Sequence, residues 1–135
     1  LTSMIGLDKR WLEPYGIDPD TAFVALIPYS GQVVTHFERR RELGLPDTQP
    51  LVDDMAPLSY VRPDCRPMLI LSGDREREML GRYEENAYFW RMMRVAGHPD
   101  VRICEFDGFD HGNMPQAGHF VAVRYIREME RRMDR

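Results

Sequence analysis

The run Pro67-Met68-Leu69-Ile70-Leu71 is continuously apolar and stops abruptly at Ser72-Gly73-Asp74-Arg75-Glu76. A strand with one wet face alternates apolar and polar residues. A short run without alternation fits a strand covered on both faces, as in a parallel sheet. The stretch from Arg82 to Ala96 reads as a helix, with Phe89, Met92, Met93 and Ala96 at the spacing of a core-facing stripe. Gly97-His98-Pro99 ends it, because glycine suits a left-handed cap and proline cannot continue the helix. Val101-Arg102-Ile103-Cys104-Glu105-Phe106 then alternates as a second strand and stops at the turn signal Asp107-Gly108. Strand, helix and strand at this spacing form a βαβ unit. Its two strands run the same way and open their carboxyl ends onto one edge, where open α/β sheets bind ligands.

The rest of the chain arranges itself around that unit. Residues 21–29 carry the apolar core Phe23-Val24-Ala25-Leu26-Ile27 and are expected to form a first strand, ending at Pro28-Tyr29-Ser30-Gly31-Gln32. Val33 to Leu45 reads as a helix, and Pro46 to Pro67, rich in proline, as an extended surface crossing. Pro115 to the end reads as a final helix with Ala122, Ile126, Met129 and Met133 on one stripe. The expected fold class is α/β, with parallel strands and flanking helices, and residues 1–135 are expected to belong to a single domain.

The chemistry concentrates at the strand ends. His111 lies on a loop just past the second strand, where an imidazole can act as a proton shuttle near neutral pH. Glu76 and Asp74 follow the first strand of the unit and should face the same edge. An acid and a histidine so placed are two parts of a nucleophile–base–acid triad. Ser30, at the end of the strand expected over residues 21–29, is followed by glycine but not preceded by one. Ser30 and Gln32 are therefore read as substrate-lining residues, and Ser30 as a poor nucleophile. His36 is read as structural or solvent-facing, His98 as a helix-end residue and not a catalytic candidate, and Asp53-Asp54 as solvated, since no third ligand with suitable spacing accompanies that pair.

Composition removes whole classes of function. Net charge is −4, against the basic face that nucleic-acid binding requires. No apolar run approaches the roughly 20 residues that span a bilayer. With 43% hydrophobic and 30% charged residues the chain is globular rather than disordered. The cysteines, Cys65 and Cys104, lack metal-ligand spacing, and Cys104, inside an expected strand, is read as a buried thiol.

The segments PMLILSGDRE, AGHPDVRICEF and GFDHGNM together resemble the C-terminal half of an α/β-hydrolase of the esterase/lipase type. The resemblance implies an acid three residues after the glycine that ends the penultimate strand, which is Glu76, with Asp74 beside it as the alternative. It implies His111 as the base. That family's nucleophile is a serine in G-x-S-x-G, ahead of the acid in the chain. None of Ser3, Ser30, Ser59 and Ser72 has glycines two residues before and two after. Leu1 to Leu7 resembles the helix that follows the nucleophile, so the chain is expected to be the back half of a longer enzyme. The implied activity is hydrolysis of a carboxylic ester, of a short acyl or carbohydrate kind, or of a related amide, without a cofactor and with the missing N-terminal half or a second copy as partner. The competing expectation is a degenerate hydrolase-like module that binds or oligomerises and does no chemistry.

Overall fold

In the computed structural model, which describes residues 1–134, the βαβ unit forms the centre. Strand β1 (Met68–Gly73) pairs in parallel with β2 (Val101–Phe106), Met68 opposite Val101 and Gly73 opposite Phe106. Helix α4 (Arg82–Val95) makes the crossover. Before the unit come α1 (Thr2–Leu7), α2 (Pro19–Ala22) and α3 (Phe37–Glu42), with two short 3-10 turns between α1 and α2 and a third after α3. After it comes α5 (Met114–Met133). The architecture is α/β, with parallel strands and flanking helices, as the sequence pattern implies.

All six residues of β1 are buried, which is why its apolar run does not alternate. Met68 and Ile70 pack on one face against Phe89 and Met93 of α4, together with Leu7, Leu26 and Val33. Leu69 and Leu71 pack on the other face against Met114, Ala122, Tyr125 and Met129 of α5. The result is helix, sheet and helix in three layers. Strand β2 is only half-buried and forms one edge. Its polar side chains are tied down: Arg102 meets Glu128 through two parallel N–H to oxygen contacts of 3.0 and 2.8 Å, and Glu105 meets Arg75.

Residues 25–30 run parallel to the other side of β1, but only as two isolated bridges, Leu26 with Met68 and Tyr29 with Leu71. The expectation of a full strand over residues 21–29 is corrected on two counts. Thr21 and Ala22 belong to α2, whose cap is the Asp18 carboxylate accepting from the Asp20 N–H. Pro28, which should donate the middle rung of the ladder, has no N–H. The rungs that do form run from the Leu26 N–H to the Pro67 carbonyl, from the Leu69 and Leu71 N–H groups to the Leu26 and Pro28 carbonyls, and from the Ser30 N–H to the Leu71 carbonyl at 2.7 Å.

The helical stripes also differ from expectation. On α4 the buried positions are Arg82, Asn86, Phe89 and Met93, while Ala96 is exposed. On α5 they are Met114, Gly118, Ala122, Tyr125 and Met129, and Ile126 and Met133 point to solvent. Gly118 is required there: a Cβ would lie 2.8 Å from the Tyr29 ring, so only glycine lets α5 approach residues 25–30 this closely. Cys65 is the buried thiol and desolvation pushes its pKa up to about 11, whereas Cys104 is half-buried. His98 is structural. Its Nδ1 accepts from the Asp100 N–H, so its Nε2 carries the hydrogen toward the Cys65 carbonyl at 3.1 Å. It thereby joins the entries to β1 and β2. Among the described residues no helix is long and apolar enough to cross a membrane.

Phe89 is fully buried against β1. Phe89→Ala is expected to cost about 3–5 kcal/mol of unfolding free energy. Tyr88→Ala, one residue away and 56% exposed, is expected to stay within about 0.5–1 kcal/mol. Urea titration of both variants checks the assignment of the helix face.

Candidate active site

At the carboxyl ends of β1 and β2 two loops are laced together. The Asp74 N–H donates to the Phe109 carbonyl at 2.8 Å, and the Asp74 Oδ2 accepts from the Gly108 N–H at 2.7 Å. Arg77 donates to the Gly108 carbonyl. A Cβ on Gly73 would stand 2.6 Å from the Phe109 carbonyl oxygen, so the close approach of the loops demands glycine. Asp110 and Asn113 then close a reciprocal turn. The Asp110 carboxylate accepts from the Gly112 and Asn113 N–H groups, and the Asn113 side-chain oxygen accepts from the Asp110 N–H. His111 projects from this turn, just before α5.

The carboxylate that meets His111 is Glu78. Its Oε2 lies 3.1 Å from His111 Nδ1, and its side chain is fully buried while His111 is about half exposed. The expected acids, Glu76 and Asp74, do not make this contact. Glu76 is exposed, and its N–H caps onto the Asp74 carboxylate. Asp74 is the turn-former: the Arg77 and Glu78 N–H groups both donate to its carbonyl. That single tight turn swings the chain back, so the residue returning beneath His111 lies five positions after Gly73, not three. Counting along the sequence cannot detect such a reversal. The alternating acids at 74, 76 and 78 are the only signal, and they do not discriminate among themselves.

Burial alone would raise the Glu78 carboxyl. It is outweighed by the Ser30 hydroxyl, the N–H groups of Met79 and Gly73 and the nearby His111, which together hold Glu78 below the usual carboxylate range. The Ser30 Oγ is 2.5 Å from Glu78 Oε1 and 3.0 Å from His111 Nδ1, and the Gly73 N–H lies 3.1 Å from the same Oε1. Ser30, expected to line a substrate groove, is instead 3% exposed and faces this pair. Gln32 does not join them. Its side-chain oxygen accepts from the Phe37 N–H, and it borders an apolar groove of about 460 Å³ with Met4, Trp11, Val34 and Met55.

A group that sequence reasoning missed holds the loop after Ser30. Within one turn of α4, Arg82 donates to the Ser30 carbonyl at 2.5 Å and to Glu85 at 2.9 Å, and Asn86 donates to the Gly31 carbonyl at 2.7 Å. The other Glu85 oxygen accepts from the Val33 and Val34 N–H groups at 3.1 and 3.0 Å. Desolvation raises the Glu85 carboxyl even against those donors and Arg82. The helix expected from Val33 begins only at Phe37, because the Val33 carbonyl accepts from the Leu58 N–H and the Phe37 N–H donates to the Gln32 side chain instead of closing a helical turn. His36 then caps α3 by accepting from the Glu38 N–H.

No family model matches the chain, and no curated protein matches it. Solved structures do. Thermogutta terrifontis esterase 2, in a form phosphoramylated by tabun, aligns over 78% of this chain and 41% of its own at 22% identity, with a TM-score of 0.59. The propionate-bound form of this thermophilic Planctomycetes esterase aligns over 78% of this chain and 42% of its own at 20% identity and a TM-score of 0.57. Its native form aligns over 85% and 45% at 18% identity and a TM-score of 0.58. The chain thus spans less than half the length of these esterases and shares the fold of that part.

Two measurements check the site. A carboxyl held below its usual pKa of 4.5 stabilises the fold above that value and loses the contribution as pH falls through the lower folded-state value. The urea midpoint of Glu78→Gln is therefore expected to lie below wild type near neutral pH and to converge on it in acid, with Glu76→Gln as the exposed comparison. A gap independent of pH would show that Glu78 does not owe its ionised state to this network. Removing Arg82, 6% exposed against a Glu85 only 9% exposed, leaves a buried charge unpaired. Arg82→Ala is expected to cost about 3–5 kcal/mol by urea unfolding.

Proposed function

We propose that this chain carries the acid and base of a serine-hydrolase site acting on small carboxylic esters. The supporting observation is the pairing of His111 Nδ1 with the buried Glu78 carboxylate, which leaves the other nitrogen of a half-exposed ring, Nε2, outside that contact. Among the described residues no hydrogen bond reaches that nitrogen. The shared fold with esterases of known structure agrees with this reading.

In this reading a serine supplied by another part of the protein attacks the acyl carbonyl. His111 Nε2 takes the hydroxyl proton and later returns it to the leaving alcohol. Glu78, rather than Glu76 or Asp74, orients the imidazole and stabilises its charged form. The oxyanion is held by backbone N–H groups near that serine. Gln32 and the apolar groove beside it supply a surface for the hydrocarbon part of the ester. Ser30 is unsuited to attack: it is buried, its hydroxyl is engaged by a carboxylate, and it stands on the Nδ1 side of the ring.

The experiment is intact-mass analysis after fluorophosphonate treatment of the longest reading frame that contains these residues. One adduct is expected, on a serine outside residues 1–135, and His111→Ala is expected to lower ester turnover by at least about 10²–10⁴-fold. An adduct on Ser30, or no adduct and no turnover, overturns the proposal.

A further inference from the structure

We propose that Ser30 is a positioning residue whose hydroxyl ties Glu78 to His111 and fixes the imidazole with its hydrogen on Nδ1, leaving Nε2 as the base. The inference rests on the acid–base reading of Glu78 and His111 and assigns a residue to that site beyond the pair itself.

The geometry of one hydrogen atom carries it. A hydroxyl has a single hydrogen to donate. Ser30 Oγ stands 2.5 Å from Glu78 Oε1 and 3.0 Å from His111 Nδ1. Glu78 already accepts from the N–H groups of Gly73 on Oε1 and Met79 on Oε2, the pattern of an ionised carboxylate with no hydrogen of its own. The Ser30 hydrogen therefore goes to Glu78, and the hydroxyl turns a lone pair toward Nδ1. Glu78 Oε2, 3.1 Å from the same nitrogen, also presents a lone pair. Two acceptors face Nδ1 and no donor does, so Nδ1 must carry the hydrogen. A neutral imidazole holds only one, so the lone pair is on Nε2. A lone carboxylate contact would leave the ring free to swing. A second acceptor on an independent element fixes its plane as well.

The chain spends backbone energy to place this hydroxyl. Ser30 is the only non-glycine residue with positive φ among the described residues, at 43°, a conformation that costs about 1–3 kcal/mol. It persists because both ends of the residue are held. The Ser30 N–H donates to the Leu71 carbonyl on β1, and its carbonyl accepts from the buried Arg82. Asn86 and Glu85 fix the next residues in the same way. The clamp on α4 thus serves a residue that touches both Glu78 and His111.

Nitrogen-15 spectra of the intact protein with labelled histidine test this, His111 being assigned by its loss in His111→Ala. In wild type the neutral ring is expected to show a protonated Nδ1 and a bare Nε2. Ser30→Ala and Ser30→Gly remove one of the two acceptors and also the hydroxyl that holds Glu78 in place, so both should raise the share of the Nε2-protonated form. Glycine tolerates the positive φ and guards against a variant that fails only through backbone strain. Where ester turnover is measured, both should lower kcat about tenfold, the scale of one lost charge-assisted hydrogen bond, with KM unchanged. A tautomer unaltered in both variants, or altered in Ser30→Ala alone, overturns the proposal, as does a rise in KM at constant kcat, which would make Ser30 a substrate contact. A fixed tautomer in a protein that turns over no ester supports the positioning role and removes the ester reading. Turnover with an unfixed tautomer does the reverse.

Discussion

Burial of β1 on both faces is the constraint on which everything else rests. Six consecutive buried residues need apolar cover on two sides, supplied by α4 through Phe89 and Met93 and by α5 through Met114, Ala122, Tyr125 and Met129. Lateral pairing follows from the same strand. Strand β2 takes one edge in full register, and residues 25–30 take the other as far as Pro28 permits. Because these neighbours run parallel to β1, their ends arrive together. Ser30, Glu78 and His111 meet there although they come from three separate parts of the chain.

The site inverts the logic of the core. A fully buried carboxylate is costly unless every lone pair is met. Glu78 meets its requirement with a hydroxyl, an imidazole and two backbone N–H groups. A second buried carboxylate, Glu85, is neutralised by Arg82 and by two more N–H groups. The two are connected through the Ser30 loop, the second securing the backbone whose side chain serves the first. Local strain at Ser30 is offset by bonds from the most rigid elements nearby, β1 and α4. This is the arrangement expected where a side chain must be held in one orientation.

Sequence periodicity located the elements better than their faces. The βαβ unit, the final helix and the ends of both strands fall where the apolar patterns place them, because such runs have few alternatives in water. The faces moved where polar residues were buried in pairs. Arg82 and Asn86 lie on the inner side of α4 because they bind the 30–34 loop, and no hydrophobic pattern marks a buried arginine as internal. Val33 and Val34 fit a helical reading, yet the Val33 carbonyl that would close the first turn accepts from the distant Leu58 N–H. The expected strand over residues 21–29 was reduced by a residue in plain view, Pro28, whose missing N–H removes a rung.

The same division runs through the candidate site. A histidine in a tight polar loop after a strand is a local feature, so the chain's own order of residues sufficed to single out His111. Its loop is shaped locally by the strand, the Asp107-Gly108 turn and the Asp110–Asn113 cap, and is then laced to the Asp74 loop. Which acid would face it was not local. Asp74, Glu76 and Glu78 are equivalent as letters, and the i to i+4 turn closed by the Asp74 carbonyl selects the last of them. Ser30 was further out of reach, since its contacts lie 48 and 81 residues along the chain. Apolar burial is written into short-range pattern because each residue carries its own transfer free energy. Hydrogen-bond partnership is a property of pairs, and only packing brings the members of a pair within 3 Å.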